Sequence, residues 1–438
     1  MSRRSLSRWL TTVVTVGVLA TALAAPAAAA PQSAPSQKSS ALLPNEGKCD
    51  KKLTPVEVGL ITSWDNPVLD LGDQVTAAEV SVEAFNNKRA GVGGHCIVLT
   101  TCNDGADPGK AVDCARQFAS SNIVATINDT TSWASADVGK ILNEAGIPRI
   151  GLSPATADLS ASNTYTIGAG GAGTTFMMIP PLGRTGHKKV YLIGVDNPQI
   201  DALAAIMKPM IAANGMELVG LSKVPAGTTD YQQFVLAAER AGADSVIMPL
   251  DETLGTQVLN AAKQLGTDLD FSTSLGTFGA DDIKALGDFG KQLYFNAELP
   301  PVAGDTKRWP ILKTVQKDFK ASGEEVLQTD QIKTSPFRSW VATYHLKKIA
   351  EDYADPDNLT RASMTQAMNT AAAVDTFGLI PAWTPNKGID PAPLGFVRIS
   401  NPWYYWGGWD GKKFVLEKDQ LHVANELAGT TTYAQPTG

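Results

Sequence analysis

Six short stretches concentrate the side chains that could recognise a ligand. They are Thr62-Ser63-Trp64-Asp65, Asp129-Thr130-Thr131-Ser132-Trp133, Ser153-Pro154-Ala155-Thr156, Asp196-Asn197-Pro198-Gln199, Leu250-Asp251-Glu252 and Ser274-Leu275-Gly276-Thr277-Phe278. Hydroxyls, a few acids, amides and two tryptophans suit a small polar ligand that also has an apolar part. The same Ser, Thr and Asp residues suit the capping of a following helix, and one residue can do both.

Catalysis finds less support. None of the four histidines, His95, His187, His345 and His422, stands near a nucleophile elbow or a metal-binding partner motif. Gly168-Ala169-Gly170-Gly171-Ala172-Gly173 satisfies the dinucleotide pattern GxGxxG, with a strand ending in Asp196 downstream. Yet Asn163-Thr164-Tyr165-Thr166 is polar and short for a central strand, and Pro180-Pro181 interrupts the helix that should follow. A flexible crossing between domains explains these glycines better. Trp403, Tyr404, Tyr405, Trp406 and Trp409 could stack on a carbohydrate, but aromatics alternating on a hairpin point to packing. No enzyme activity, cofactor or metal is expected.

The elements that position the six stretches alternate along the chain. Val56–Ile61, Cys96–Thr101, Ile123–Ile127 and Pro148–Leu152 read as strands. Between them Gln74–Asn87, Gly109–Ser120 and Ser135–Ala145 read as helices. The pattern restarts with strands Lys189–Val195, Glu217–Ser222 and Ser245–Pro249 and helices Leu203–Asn214, Tyr231–Ala241 and Leu254–Leu265. Gly146, Gly215 and Gly266 stand as helix stops. This is an α/β chain of two doubly wound parallel-sheet lobes. In such sheets ligands sit beyond the carboxyl ends of the strands, which is where the six stretches fall. A long helix at Ser335–Tyr353 belongs to the remainder, shared between the lobes.

Length and charge agree with this class. The 438 residues suffice for two or three domain-sized units, and a formal charge of −7 disfavours nucleic-acid binding or a polybasic membrane surface. Arg3, Arg4 and Arg8 precede an apolar run from Leu10 to Leu23 and an alanine-rich stretch to Ala30. That is the pattern of a cleavable secretory signal, with the cut between Ala25 and Ala30 and no membrane insertion afterwards. Residues 31–52 read as a flexible tether.

Four cysteines, Cys49, Cys96, Cys102 and Cys114, suit disulfides in an exported chain, with three pairings possible. Cys49 and Cys96 lie near the same end of neighbouring strands. Cys102 ends a strand, and Cys114 lies on the helix that folds back over it. The expected pairs are therefore Cys49–Cys96 and Cys102–Cys114. A zinc site using His95 is the rival, but paired CxxC units are missing.

With these features on the page, the chain resembles the type I solute-binding proteins of bacterial ABC importers, in the branch that binds leucine, isoleucine and valine or small amides. The likeness runs from about Val56 to Val415. It is carried by Val58-Gly59-Leu60, Leu71-Gly72-Asp73, Asn103-Asp104-Gly105-Ala106-Asp107-Pro108, Ala145-Gly146-Ile147-Pro148, Thr229-Asp230-Tyr231, Ala241-Gly242-Ala243-Asp244-Ser245-Val246, Phe337–Ile349 and Trp409-Asp410-Gly411-Lys412-Lys413-Phe414-Val415.

The resemblance implies three crossings near Thr166, Ala297 and Arg398 and hinge closure on the ligand. Lobe 1 would hold 53–166 and 298–397 and lobe 2 would hold 167–297 and 398–425, with a tail at 426–438. It places Ser132, Ala155 and Thr156 on the ligand; Thr131 and Trp64, on the same set of loops, are further candidates. The second lobe's aromatic position falls on Gln199 or Ile200, and its ammonium-pairing acid falls among Ser274, Leu275 and Gly276, with Thr277 following. Asp251 or Glu252 would then have to supply the charge, and an α-amino-acid ligand is disfavoured. The implied role is an exported monomer that delivers a small polar ligand to an ABC importer permease. The alternative is a ligand-sensing module that signals to a membrane partner without transport.

Overall fold

The computed structural model describes residues 43–436 apart from 67–68, 198–199, 226, 276–277, 328–332, 391, 393–394 and 431. Residues 1–30, read as a signal from the sequence, and the sequence to residue 42 lie outside the described residues. The first lobe runs β1 Val56–Thr62, α1 Gly72–Lys88, β2 Ile97–Asn103, α2 Pro108–Ala119, β3 Ala125–Ile127, α3 Ser135–Glu144, β4 Arg149–Ile150 and β5 Thr164–Tyr165. Its strands pair in the order β2-β1-β3-β4-β5, all in parallel. The polar Thr164-Tyr165 is indeed no central strand: it closes the sheet as a two-residue edge.

The chain then enters the second lobe with α4 Gly170–Phe176, α5 Ile179–Arg184, β6 Lys189–Val195, α6 Ile200–Ala213, β7 Glu217–Val224 and α7 Gln232–Arg240. It continues through β8 Ser245–Ile247, α8 Glu252–Leu265, β9 Asp270–Ser274, α9 Ala280–Leu286 and β10 Leu293–Ala297. Helices α10 Leu312–Ser322, α11 Thr334–Tyr353 and α12 Arg361–Thr370 return to cover the first sheet. Finally β11 Trp403–Trp409, β12 Phe414–Leu416, β13 Leu421–His422 and α13 Val423–Ala428 complete the second lobe.

The second sheet is parallel through β7, β6, β8, β9 and β10 and carries the closing hairpin as its edge. The order is β12-β11-β10-β9-β8-β6-β7, with β11 antiparallel to β10, β12 and β13. A tight turn at Asp410–Lys413 joins β11 to β12, and such a hairpin can only add antiparallel strands. The hairpin's aromatics are packing: Tyr404 and Tyr405 are buried, and Trp409 stacks edge-on against Phe414 at 4.9 Å.

Both disulfides form as Cys49–Cys96 and Cys102–Cys114. In the chain-entropy picture these loops contribute on the order of 4 and 3 kcal/mol. The first corrects the tether's extent. Glu46 N–H donates to the Lys88 carbonyl at 2.8 Å, and Gly47 bridges to Arg89, so the chain is engaged from 46 rather than free to 52. The tail is likewise docked, because Tyr433 stacks on His422 at 4.1 Å and its main chain is held by Asn425.

The longest helix, α11, is buried on most of its surface. His345 sits there without a hydrogen-bond partner among the described residues, stacked on Trp383 at 4.4 Å, and burial pushes its pKa down to about 3. His422 is pushed to the same value by burial. An unfolded histidine titrates near 6.5, so the unfolded state binds more protons as pH falls from there towards 3. The stability from each neutral ring is complete above that window and is lost down through it, by about 2 kcal/mol at pH 5. His95 and His187 act in the opposite sense. Thr54 and Asp357 outweigh the burial of His95, and Asp270 holds His187 charged, so both pKa values are raised. Their stability is present in acid and is lost as pH rises. His345→Phe should therefore flatten the acid side of the stability profile, removing about 2 kcal/mol of the loss between pH 7 and 5. Urea midpoints across that range check it, and a profile parallel to the parent protein's counts against a neutral buried ring.

Candidate functional site

Three loops of the first lobe leave the carboxyl ends of β1, β3 and β4, and one buried cation shapes two of them. Arg149 has no exposed surface; its Nε donates to Asp129 Oδ2 at 3.1 Å, its Nη2 to Thr131 Oγ1 at 3.1 Å, and its Nη1 to Asp158. Asp129 also accepts the Ile61 N–H at 3.0 Å and the Thr126 hydroxyl at 2.5 Å. Asp158 accepts the Ala155 N–H at 2.9 Å. Burial pushes the Asp129 carboxyl up, against the guanidinium that holds it ionised. Thr131 and Ala155 are therefore spent inside the lobe, on shaping the loops.

A second set of bonds ties the β3 loop to α11. Asn128 lies in the left-handed region at φ 50°, which asparagine tolerates better than most residues. Its Nδ2 donates to Ser339 Oγ at 2.8 Å. Gln74 Nε2 donates to the Asn128 carbonyl, while Gln74 Oε1 accepts from Ser335 Oγ at 2.7 Å and Thr130 Oγ1 at 3.2 Å.

Between the lobes lies a cleft of about 370 Å³. The first lobe lines it with Leu69, Leu71, Thr130, Ser132, Ser153, Thr334, Ser335 and Arg338. The second lobe supplies Thr174, Thr175, Met178, Pro249, Leu250, Ser274, Leu275 and Asn296. Gly170, Gly171 and Glu298, on the chain crossings, form its floor. Glu298 receives Arg338 Nη2 on one oxygen. On the other it receives the Gly170 N–H at 3.0 Å and the Tyr404 hydroxyl at 3.1 Å. At the cleft's edge Lys333 in the first lobe pairs with Glu252 in the second at 3.1 Å. A half-exposed pair of this kind is worth under about 1 kcal/mol.

The glycine string is spatial accommodation at the hinge. A Cβ on Gly168 would lie 2.0 Å from the Glu298 carboxyl carbon, and one on Gly170 would lie 1.9 Å from the Pro154 carbonyl oxygen. The third crossing is stitched to the first, as Ser400 Oγ donates to the Thr166 carbonyl at 2.6 Å and Asn401 Nδ2 to the Ile167 carbonyl at 2.8 Å, and Glu298 on the second accepts the Gly170 N–H of the first.

Of the residues expected from sequence, Ser132 lines the cleft. Trp64 is not among the described lining residues and is held by main-chain bonds to the Asn103 side chain, and Thr156 is exposed at the start of a single turn. Asp251 caps α8 by accepting the Leu254 N–H at 2.9 Å, an assignment its type already allowed. Gln199 and Thr277 lie outside the described residues. Sequence reasoning missed Glu298, Arg338, Ser335 and Thr174. The available signal was a lone arginine within the apolar run Pro336–Val341, on the helix end that faces the ligand loops.

A family model described as periplasmic binding protein matches residues 55–401. The chain belongs to this family. Within it the likeness is to the type I, Leu/Ile/Val-binding branch. The chain is 29% identical over 196 residues to Leu/Ile/Val-binding protein homolog 3 of Brucella melitensis, an alignment covering 44% of this chain and 53% of that one. The chain thus spans about half the length of the curated relatives it matches. Among solved structures, a fatty acid ABC transporter substrate-binding protein from Thermomonospora curvata superposes with a TM-score of 0.68 at 16% identity, covering 89% of this chain and 97% of that one. A solute-binding protein from R. palustris in complex with 4-hydroxybenzoate gives 0.65 at 17% identity, covering 84% and 97%. These likenesses show the fold, which is that of binding proteins. Among the described residues no helix is long and apolar enough to cross a membrane.

Proposed function

We propose that the protein works outside the cytoplasm as a monomer, capturing a small polar solute with an apolar portion and passing it unchanged to an ABC-type importer. The observation that carries this reading is the cleft itself. Hydroxyls and an amide from both lobes meet an apolar wall of Leu69, Leu71, Met178, Leu250 and Leu275 across a floor of three stitched crossings. Ligand held from both sides favours the closed arrangement by its differential contacts, the state an importer can distinguish. Two disulfides agree with an oxidising compartment. The names of the Leu/Ile/Val-binding relatives, and the 4-hydroxybenzoate and fatty-acid binding proteins of the same fold, support a solute of this size and character. Ser132, Ser153 and Thr174 are the proposed polar contacts, with Ser132 already expected from sequence.

A thermal-shift panel on protein stripped by unfolding and refolding tests the proposal. A bound compound at about 100 times its Kd adds about 2.7 kcal/mol, a rise of a few degrees for a chain of this length. The expected result is stabilisation by a member of the panel that is recovered chemically intact. Stabilisation by no compound, or conversion of the compound, contradicts capture.

A further inference from the structure

We infer that the cleft takes a small monocarboxylate that lacks an α-ammonium group, with Arg338 as the residue that holds the carboxylate; this rests on the capture reading above. Arg338 is 6% exposed and lines the cleft. A guanidinium carries N–H donors on three nitrogens and no acceptor, in a fork that matches a carboxylate. One of these donors is committed, Nη2 to Glu298, and the buried Nε has no partner among the described residues. A nine-tenths-buried cation with a buried donor unmatched is costly unless a further acceptor arrives. A carboxylate meets the guanidinium with an opposite charge and two matched oxygens, where an amide offers one neutral oxygen, so an acid is favoured over its amide.

Glu298 cannot turn this site towards amino acids. It is the single carboxylate among the described lining residues, and its two oxygens already accept from Arg338, Gly170 and Tyr404. The two acids nearest in sequence to the second lobe's apolar wall are engaged as well, Asp251 by the cap of α8 and Glu252 by Lys333. An ammonium brought into the cleft would meet hydroxyls and an amide, with no unengaged carboxylate among the described lining residues to pair it. The apolar side chains leave room for an aliphatic or aromatic body behind the carboxylate.

Calorimetric titration of the stripped, disulfide-intact protein with matched probes tests the inference. The probes are 4-methylpentanoate, its amide, L-leucine, benzoate and benzamide. At least one acid should bind about 100-fold more tightly than its own amide, and 4-methylpentanoate more tightly than L-leucine. Arg338→Gln should abolish the acid-over-amide preference. Should loss of the Glu298 partner prevent that variant from folding, Arg338→Gln combined with Glu298→Gln removes both charges and should show the same collapse of preference. Equal affinity for acid and amide, tighter binding of L-leucine, or a preference that survives in the folded variant overturns the inference and leaves capture standing. Binding of no probe at millimolar concentration counts against capture itself, and the inference falls with it.

Discussion

Arg149→Met should leave lobe 1 close to unfolded, because it removes the only cationic partner, among the described residues, of two carboxylates with almost no exposed surface, Asp129 and Asp158. Breaking a buried ion pair from one side costs about 3–5 kcal/mol. Here two acids are stranded by one substitution, against a whole-domain stability of about 5–15 kcal/mol. The loss should read out as a collapse in urea midpoint or in secreted yield. It should lessen as pH falls, since protonating the stranded carboxyls relieves the folded state more than the unfolded one. Adding Asp129→Asn and Asp158→Asn to Arg149→Met should recover part of the stability by removing the stranded charges. A single Arg149→Met variant with the parent's midpoint would show that the triad does not organise the lobe.

Glu298→Ala is expected to be nearly as damaging, for a reason that lies at the hinge. Its carboxylate gathers Arg338 from the first lobe, the Gly170 N–H from one crossing and the Tyr404 hydroxyl from the second lobe. Removing it leaves Arg338 buried and uncompensated, at about 3–5 kcal/mol. Glu298→Gln keeps an oxygen for Gly170 and Tyr404 and should cost less, about 1–3 kcal/mol. Besides the shift in stability, Glu298→Ala should broaden the distribution of interlobe distances seen by solution scattering, since all three groups are tied through this one side chain. An unchanged scattering profile with lowered stability would confine its role to neutralising Arg338.

The series of strands and helices was legible because each lobe repeats short apolar runs and amphipathic helices closed by glycine, and those patterns depend on near neighbours. Strands β9 and β10 were less so: they read Asp270-Phe271-Ser272-Thr273-Ser274 and Leu293-Tyr294-Phe295-Asn296-Ala297, too mixed in polarity to announce buried strands of the parallel body. In the site the residue types misled in a consistent way. Thr131, Ala155 and Asp251 stand on ligand-side loops, as the spacing implied, but spend their polar atoms on Arg149, Asp158 and the α8 cap. The groups that do face the cleft, Glu298 and Arg338, come from a crossing and from a buried helix face. Only the fold brings them together. In sequence an arginine among Phe337, Trp340 and Val341 hints at burial, but nothing local names the acid it meets.

The central claim is that solute is held between the lobes. Hydrogen exchange of the protein with and without a compound that stabilises it tests this most directly. The account predicts slowed exchange on both walls and the floor together, at Thr130–Ser132, Ser153, Gly170–Thr175, Ser274–Leu275 and Ser335–Arg338, with the outer helices unchanged. Protection confined to one lobe, or to a surface away from these segments, would contradict it.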